Sequence, residues 1–225
     1  MFRSIAITGF IAVIAGTILH FAVSKPKFDD VFGKDRSLRI LDPLRLVVFL
    51  KTLLFVEQKW SLVGVLRKLV FLLAILCFVV LVVTGFVPNI FLEKSITGWW
   101  LMIHATFAPI FAACLAALAV LWADKNRLDK NYWPWWLNRA LLRQPGSTTP
   151  AEKYELGLKI SFWTILVLSL PMILSAVLGT FALFGTDGQR VLLQIHRYST
   201  LLLSLFAIIY LELAALTEMN RTASK

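Results

Sequence analysis

Five stretches of the chain carry almost no charge and reach the roughly 20 residues needed to cross a bilayer. They run from Ser4 to Val23, Lys68 to Val87, Trp99 to Ala123, Ile160 to Phe184 and Val191 to Leu216. None alternates as barrel strands do, so the pattern predicts an all-α integral membrane protein whose backbone amides are satisfied within each helix. Between the first two stretches, Leu44 to Phe55 is apolar but too short to span. With Arg45, Lys51 and Lys59 set among Leu, Val and Phe, it predicts a helix lying in the membrane interface, with docking of a partner as a second use.

From Lys68 onward the pattern repeats as two helical hairpins. In each, a spanning helix carries a Gly near its end, a short polar loop follows, and the next helix carries a His near its start. Gly85 precedes His104 by 19 residues and Gly179 precedes His196 by 17. The chain thus divides into residues 1–66, an N-terminal transmembrane helix with a cytoplasmic or interfacial segment, and residues 67–225, a four-helix bundle. The loop from Asp124 to Lys159 contains Tyr132-Trp133-Pro134-Trp135-Trp136, which has the composition of an interfacial belt, and a Pro, Gly and Ser-rich turn at Gln144 to Pro150.

Composition supports the membrane assignment: of 225 residues, 59% are hydrophobic and 16% charged. The net charge of +10 would suggest nucleic acid in a soluble protein. Here the basic residues gather in two long loops, ten Lys or Arg from Lys25 to Lys68 and seven from Lys125 to Lys159. The short loops around Glu93 and Asp187 carry one each, Lys94 and Arg190. By the positive-inside rule the long loops and the C-terminus are cytoplasmic, the short hairpins face outward, and five spans put the N-terminus outside. The expected location is the bacterial inner membrane. Ala22-Val23-Ser24 loosely fits a signal cleavage site, but the apolar stretch before it exceeds a usual signal core and favours a retained helix. Cys77 and Cys114 lie within spans and read as small buried hydrophobes.

The chemistry centres on His104 and His196. An imidazole in hydrocarbon is costly unless something engages it, and these two fall at matching depth on helices that run in the same direction. Counted from Gly98 and from Arg190, each lies six residues in, or about 9 Å. This suits a haem iron bound from both faces. Gly85 and Gly179 would admit a porphyrin face to the backbone, while Arg190 and Arg197 are placed to pair with propionates. Each has an ordinary alternative: small residues serve any packed membrane interface, and arginines snorkel. For the histidines the alternatives are hydrogen bonding between helices or a proton path. Zinc is disfavoured because no Cys, Asp or Glu stands at that depth to complete four ligands.

The stretch Pro134-Trp135-Trp136-Leu137-Asn138, with Lys153-Tyr154, Gly157, Lys159 and Phe162-Trp163, resembles the cytochrome b (gamma) subunits of membrane-bound formate dehydrogenases and their relatives in hydrogenase-type complexes. The resemblance covers roughly Arg67 to Leu216. It implies a di-haem membrane cytochrome b passing electrons between a periplasmic redox subunit and the quinone pool. That subunit would be a multihaem cytochrome, an iron-sulfur protein or a molybdenum protein. His104 and His196 match the outer haem's ligands. The inner ligands would fall at Phe71 and Tyr210, and neither is histidine. His20, near the inner end of the extra first helix, leaves open a second haem, a hydrogen bond to a quinone, or a polar residue reaching the interface; Glu212 and Tyr210 share that ambiguity, Glu212 being near enough to the surface for plain solvation.

The leading expectation is therefore a non-catalytic electron-transfer subunit carrying one haem b, with a second haem and a quinone open and no nucleic-acid partner. A structural anchor that keeps the bundle with a reduced haem role is the alternative. A transporter is weakest, its candidate break near the midplane being Pro171.

Overall fold

A computed structural model describes residues 1–24, 62–128, 150–181 and 183–222. The expected interfacial helix at Leu44 to Phe55, the Trp cluster at Tyr132 to Trp136 and the turn before Pro150 lie outside the described residues. Among those described there are five helices and no strand: α1 Phe2–Ser24, α2 Leu62–Ile90, α3 Gly98–Trp122, α4 Pro150–Gly179 and α5 Gly185–Thr222. Each is long and apolar enough to cross a membrane. Outward-facing side chains such as Leu69, Leu76, Val79, Val120 and Val167 are more than half exposed. Apolar surface on this scale needs lipid around it.

The helices pair as the repeat implies. α2 packs closely with α3 and α4 with α5, while contact between α3 and α4 is sparse. One buried cluster, Cys77, Phe111, Leu115, Met172 and Leu203, draws on all four and joins the hairpins near mid-height. Cys77 and Cys114 are both free and buried.

The extra helix belongs to the same packing. Ala6 is buried with Phe86, Ile90 and Leu201, and the missing side chain of Gly9 leaves room for Leu205 at 3.3 Å. α1 therefore runs parallel to α5. At its start, Arg3 donates to the Ile90 carbonyl at 2.9 Å and pairs with Glu93. The beginning of α1, the Glu93 loop and the beginning of α5 thus share one end of the bundle, here called the hairpin end.

Two boundaries depart from the hydropathy pattern. The fourth stretch was expected to run to Phe184, but α4 stops at Gly179, where the amides of Thr180 and Phe181 fold back onto the carbonyls of Val177 and Leu178. Phe181, Leu183 and Phe184 are apolar yet exposed in the loop, so hydropathy counted them as helix. α5 in turn begins at Gly185, six residues before Val191. Gly98 and Gly185, which open α3 and α5, have φ of 57° and 59°. A side chain is strained in that left-handed conformation, so glycine supports the tight entry into each second helix.

Candidate functional site

His104 and His196 are brought together, although their helices do not start level. His104 lies six residues into α3 and His196 eleven into α5, about 9 Å and 16 Å along their axes. The equal spacing expected from Arg190 was therefore not a spacing from the helix start: α5 projects further at the hairpin end. Even so, the two rings face one another across the hairpins, with centroids 6.5 Å apart and planes at 77°.

Each ring is held by its own hairpin. Nδ1 of His104 is 2.9 Å from Oγ1 of Thr84 on α2, and Nδ1 of His196 is 3.0 Å from the carbonyl of Met172 on α4. A carbonyl can only accept, so His196 carries its proton on Nδ1. Thr84 commits its own hydroxyl proton to the Val80 carbonyl at 2.7 Å, leaving its oxygen to accept from His104. Both imidazoles are thereby fixed in the tautomer whose Nε2 keeps a lone pair, and neither Nε2 has a hydrogen-bond partner among the described residues.

This donor set fits a haem. Two bonds of about 2 Å from neutral imidazoles to one metal, plus about 1 Å from each nitrogen to its ring centre, give a centroid spacing of about 6 Å. A hydrogen bond from the far nitrogen is the usual way to orient a metal-bound histidine. One turn beyond His196 on the same face of α5, Oγ1 of Thr200 is buried without a partner. Unsatisfied buried hydroxyls are rare and ask for an absent group. Among the described residues no three His, Cys, Asp or Glu converge as a metal cage.

The supporting residues divide. A side chain at Gly85 would meet His104 Cε1 at 3.4 Å and Nδ1 at 3.8 Å, so this glycine makes room for the imidazole itself. Gly179 ends α4, and its open side looks toward Gln189 Oε1 at 3.8 Å. The two glycines, expected to act alike, do not. Arg190 is exposed beside Asp187 at 3.5 Å and lines an open groove of about 460 Å³ along α5 with Gln194, Tyr198 and Leu202. The Arg197 guanidinium lies over the Phe2 ring, 5.8 Å from its centre. Neither arginine is hydrogen-bonded to the imidazoles.

At the other end, the Phe71 ring packs tilted against Trp122 with centroids 5.0 Å apart, and Trp122 against Phe162 at 6.5 Å. The position matching an inner ligand is thus filled by ring packing. Glu212, left open between a quinone-linked role and plain solvation, is buried and bonded to His20 Nδ1 at 2.6 Å. Sequence reasoning missed Thr84 and Met172. Thr84 was visible as a polar residue beside Gly85 in an apolar span; the Met172 tether is a main-chain carbonyl and has no side-chain signal.

Five helices long and apolar enough to cross a membrane, with a neighbouring pair of imidazoles between the two hairpins, define a multi-pass membrane protein. Residues 68–224 match the model of the prokaryotic cytochrome b561 family, and the chain belongs to that family. It is accordingly a bacterial membrane b-type cytochrome of electron transfer, in a family that binds haem b. Comparison with curated proteins and with solved structures gave no match. The family match begins after α1, so the first helix is an addition to the matched part.

Proposed function

We propose that this cytochrome holds one haem b between His104 and His196 and relays electrons between the quinone pool and a periplasmic redox subunit. The subunit is a multihaem cytochrome, an iron-sulfur protein or a molybdenum protein, as in complexes of the formate dehydrogenase type. The observation that carries the reading is the pair of imidazoles 6.5 Å apart, each tied through Nδ1 to its own hairpin. When bound, the haem supplies a one-electron iron couple. The chain's residues do the rest. Thr84 and the Met172 carbonyl hold the rings in the ligating tautomer, and Gly85 keeps space beside His104. Arg197 and Arg190 supply positive charge at the hairpin end, available to propionates.

The histidine count supports a single haem. The chain has three, two face one another, and His20 has no second imidazole. The excess of Lys and Arg in the long loops supports a periplasmic hairpin end and a cytoplasmic C-terminus, an orientation that would bring the haem close to a periplasmic partner.

The test is a pyridine haemochrome assay on the purified full chain and on His104→Ala, His196→Ala and His20→Ala. Wild type and His20→Ala are expected to give one haem per polypeptide, and the other two variants to lose the b-type bands. Undiminished bands in both of those would overturn the assignment. So would two haems in wild type falling to one in His20→Ala.

A further inference from the structure

The end of the bundle opposite the histidine pair holds a polar group that ligation leaves unused. His20, in the last two turns of α1, meets Glu212 of α5 through Nδ1 at 2.6 Å, and its ring lies 5.9 Å from that of Tyr154 on α4. Glu212 is almost enclosed, its side chain 7% exposed, whereas that of His20 is 41% exposed. One turn back on the same face of α1, Oγ1 of Thr17 is buried with no partner. Around them the surface is apolar: Ile14, Ile18 and Leu19 face outward. A buried carboxylate bonded to a half-open imidazole, with an orphaned hydroxyl one turn away on the same helix, therefore lies beside an apolar, outward-facing surface of α1. Half of this cluster comes from α1, outside the span matched by the family.

We infer that His20, Glu212 and Thr17 form the headgroup site of a membrane quinone, entered from the lipid beside α1. With Nδ1 turned to Glu212, the free position on His20 is Nε2. In the neutral ring it accepts from the hydroxyl of a reduced headgroup. In the protonated ring, supported by the Glu212 carboxylate, it donates to the carbonyl of an oxidised one. One group thus complements both forms of a carrier whose oxygens change from acceptor to donor. The unpartnered Thr17 hydroxyl offers a second hydrogen bond, and Tyr154 an aromatic wall. A pair serving only to clip α1 to α5 would need neither the exposed ring edge nor the orphaned hydroxyl.

This inference rests on the reading of the chain as a quinone-linked cytochrome, and its test separates the two. The full chain in lipid nanodiscs is titrated with decylubiquinone and with its reduced form, followed by quenching of tryptophan fluorescence, with haem content and thermal midpoint recorded on the same samples. Wild type is expected to bind both forms saturably. His20→Phe, which keeps the ring against Tyr154 but removes both nitrogens, is expected to weaken both by about tenfold, the scale of one hydrogen bond to a charged group. Glu212→Gln retains an acceptor for Nδ1 and so keeps α1 in place, but loses the charge behind the ring; it is expected to weaken the oxidised form about tenfold and the reduced form less than twofold. Unchanged binding in His20→Phe overturns the inference, as does equal loss of both forms in Glu212→Gln, the result of a purely structural clip. Saturable binding without haem leaves this site standing and removes the haem assignment; normal haem without saturable binding does the reverse.

Discussion

Three histidines occupy the two ends of this bundle, and the contrast between the ends shows what gives an imidazole its role. At the hairpin end, His104 and His196 are each tied through Nδ1 by a neutral oxygen and face one another at 6.5 Å. At the other end, His20 is tied through the same nitrogen by a carboxylate and has no second imidazole. The tether alone does not decide, since carboxylates also back metal-bound histidines. The partner across the ring does. Two neighbouring imidazoles, each with Nε2 left free, can offer one metal two ligands, whereas a single half-open ring beside an acid can offer only hydrogen bonds.

The sharpest way to break that contrast is to crowd the converging pair. An alanine at Gly85 would stand at ordinary contact distance from His104, 3.4 Å from Cε1, but the branched methyls of Gly85→Val must displace the ring. Gly85→Val is expected to lose most of the bound haem by haemochrome assay, and Gly85→Ala to retain most. Gly179→Val, at the matching place in the other hairpin, is expected to keep wild-type haem because its neighbour is Gln189. Equal losses at the two glycines would mean that the hairpins contribute symmetrically, contrary to the geometry.

A smaller effect is expected from the tether of His104. Thr84→Val preserves shape but removes the acceptor for Nδ1–H, leaving a buried donor unsatisfied at a cost of about 1–3 kcal/mol. Haem retention, measured by competitive transfer to an apoprotein acceptor, should fall by about 10 to 100-fold, and Thr84→Ser should restore it. The corresponding tether of His196 is a main-chain carbonyl, beyond the reach of any side-chain substitution. A Thr84→Val protein that holds haem as tightly as wild type would show that ring orientation is set by packing alone.

Much of this arrangement was legible in the sequence because membranes impose a coarse code. Runs of about 20 apolar residues leave few alternatives to spanning helices, and a histidine in such a run demands a partner. Hence the five helices, the hairpin repeat and the facing pair were readable from position alone. What escaped was set by geometry across helices. The α4 end at Gly179 was hidden because Phe181, Leu183 and Phe184 are as apolar as the helix they follow, and the α5 start at Gly185 because its first six residues, Gly185 to Arg190, are polar. The Met172 tether is backbone, identical in every residue type. Glu212 stayed ambiguous because its depth in α5 says nothing of α1, whose His20 is bonded to it. The different fates of Gly85 and Gly179 depend on which neighbour leans over each, and spacing along the chain does not encode that.

The smallest expected effect concerns the first helix, whose two ends repeat the contrast on a minor scale. Arg3 pairs with Glu93 where both side chains are about half exposed or more, 46% and 66%, whereas the His20–Glu212 contact is partly enclosed. An exposed pair gains little in high dielectric and restrains two long side chains, so a double-mutant cycle of Arg3→Ala and Glu93→Ala should give a coupling of at most about 1 kcal/mol. Arg3 also donates to the Ile90 carbonyl, at the end of α2 where helix carbonyls lack intrahelical partners. Arg3→Ala should therefore cost slightly more than Glu93→Ala in the thermal unfolding midpoint. Haem content should be unchanged in both, because the contact fixes α1 and touches neither imidazole. A coupling well above 1 kcal/mol, or haem loss in Arg3→Ala, would instead make the start of α1 part of the histidine site, with Phe2 and Arg197 as the path between them.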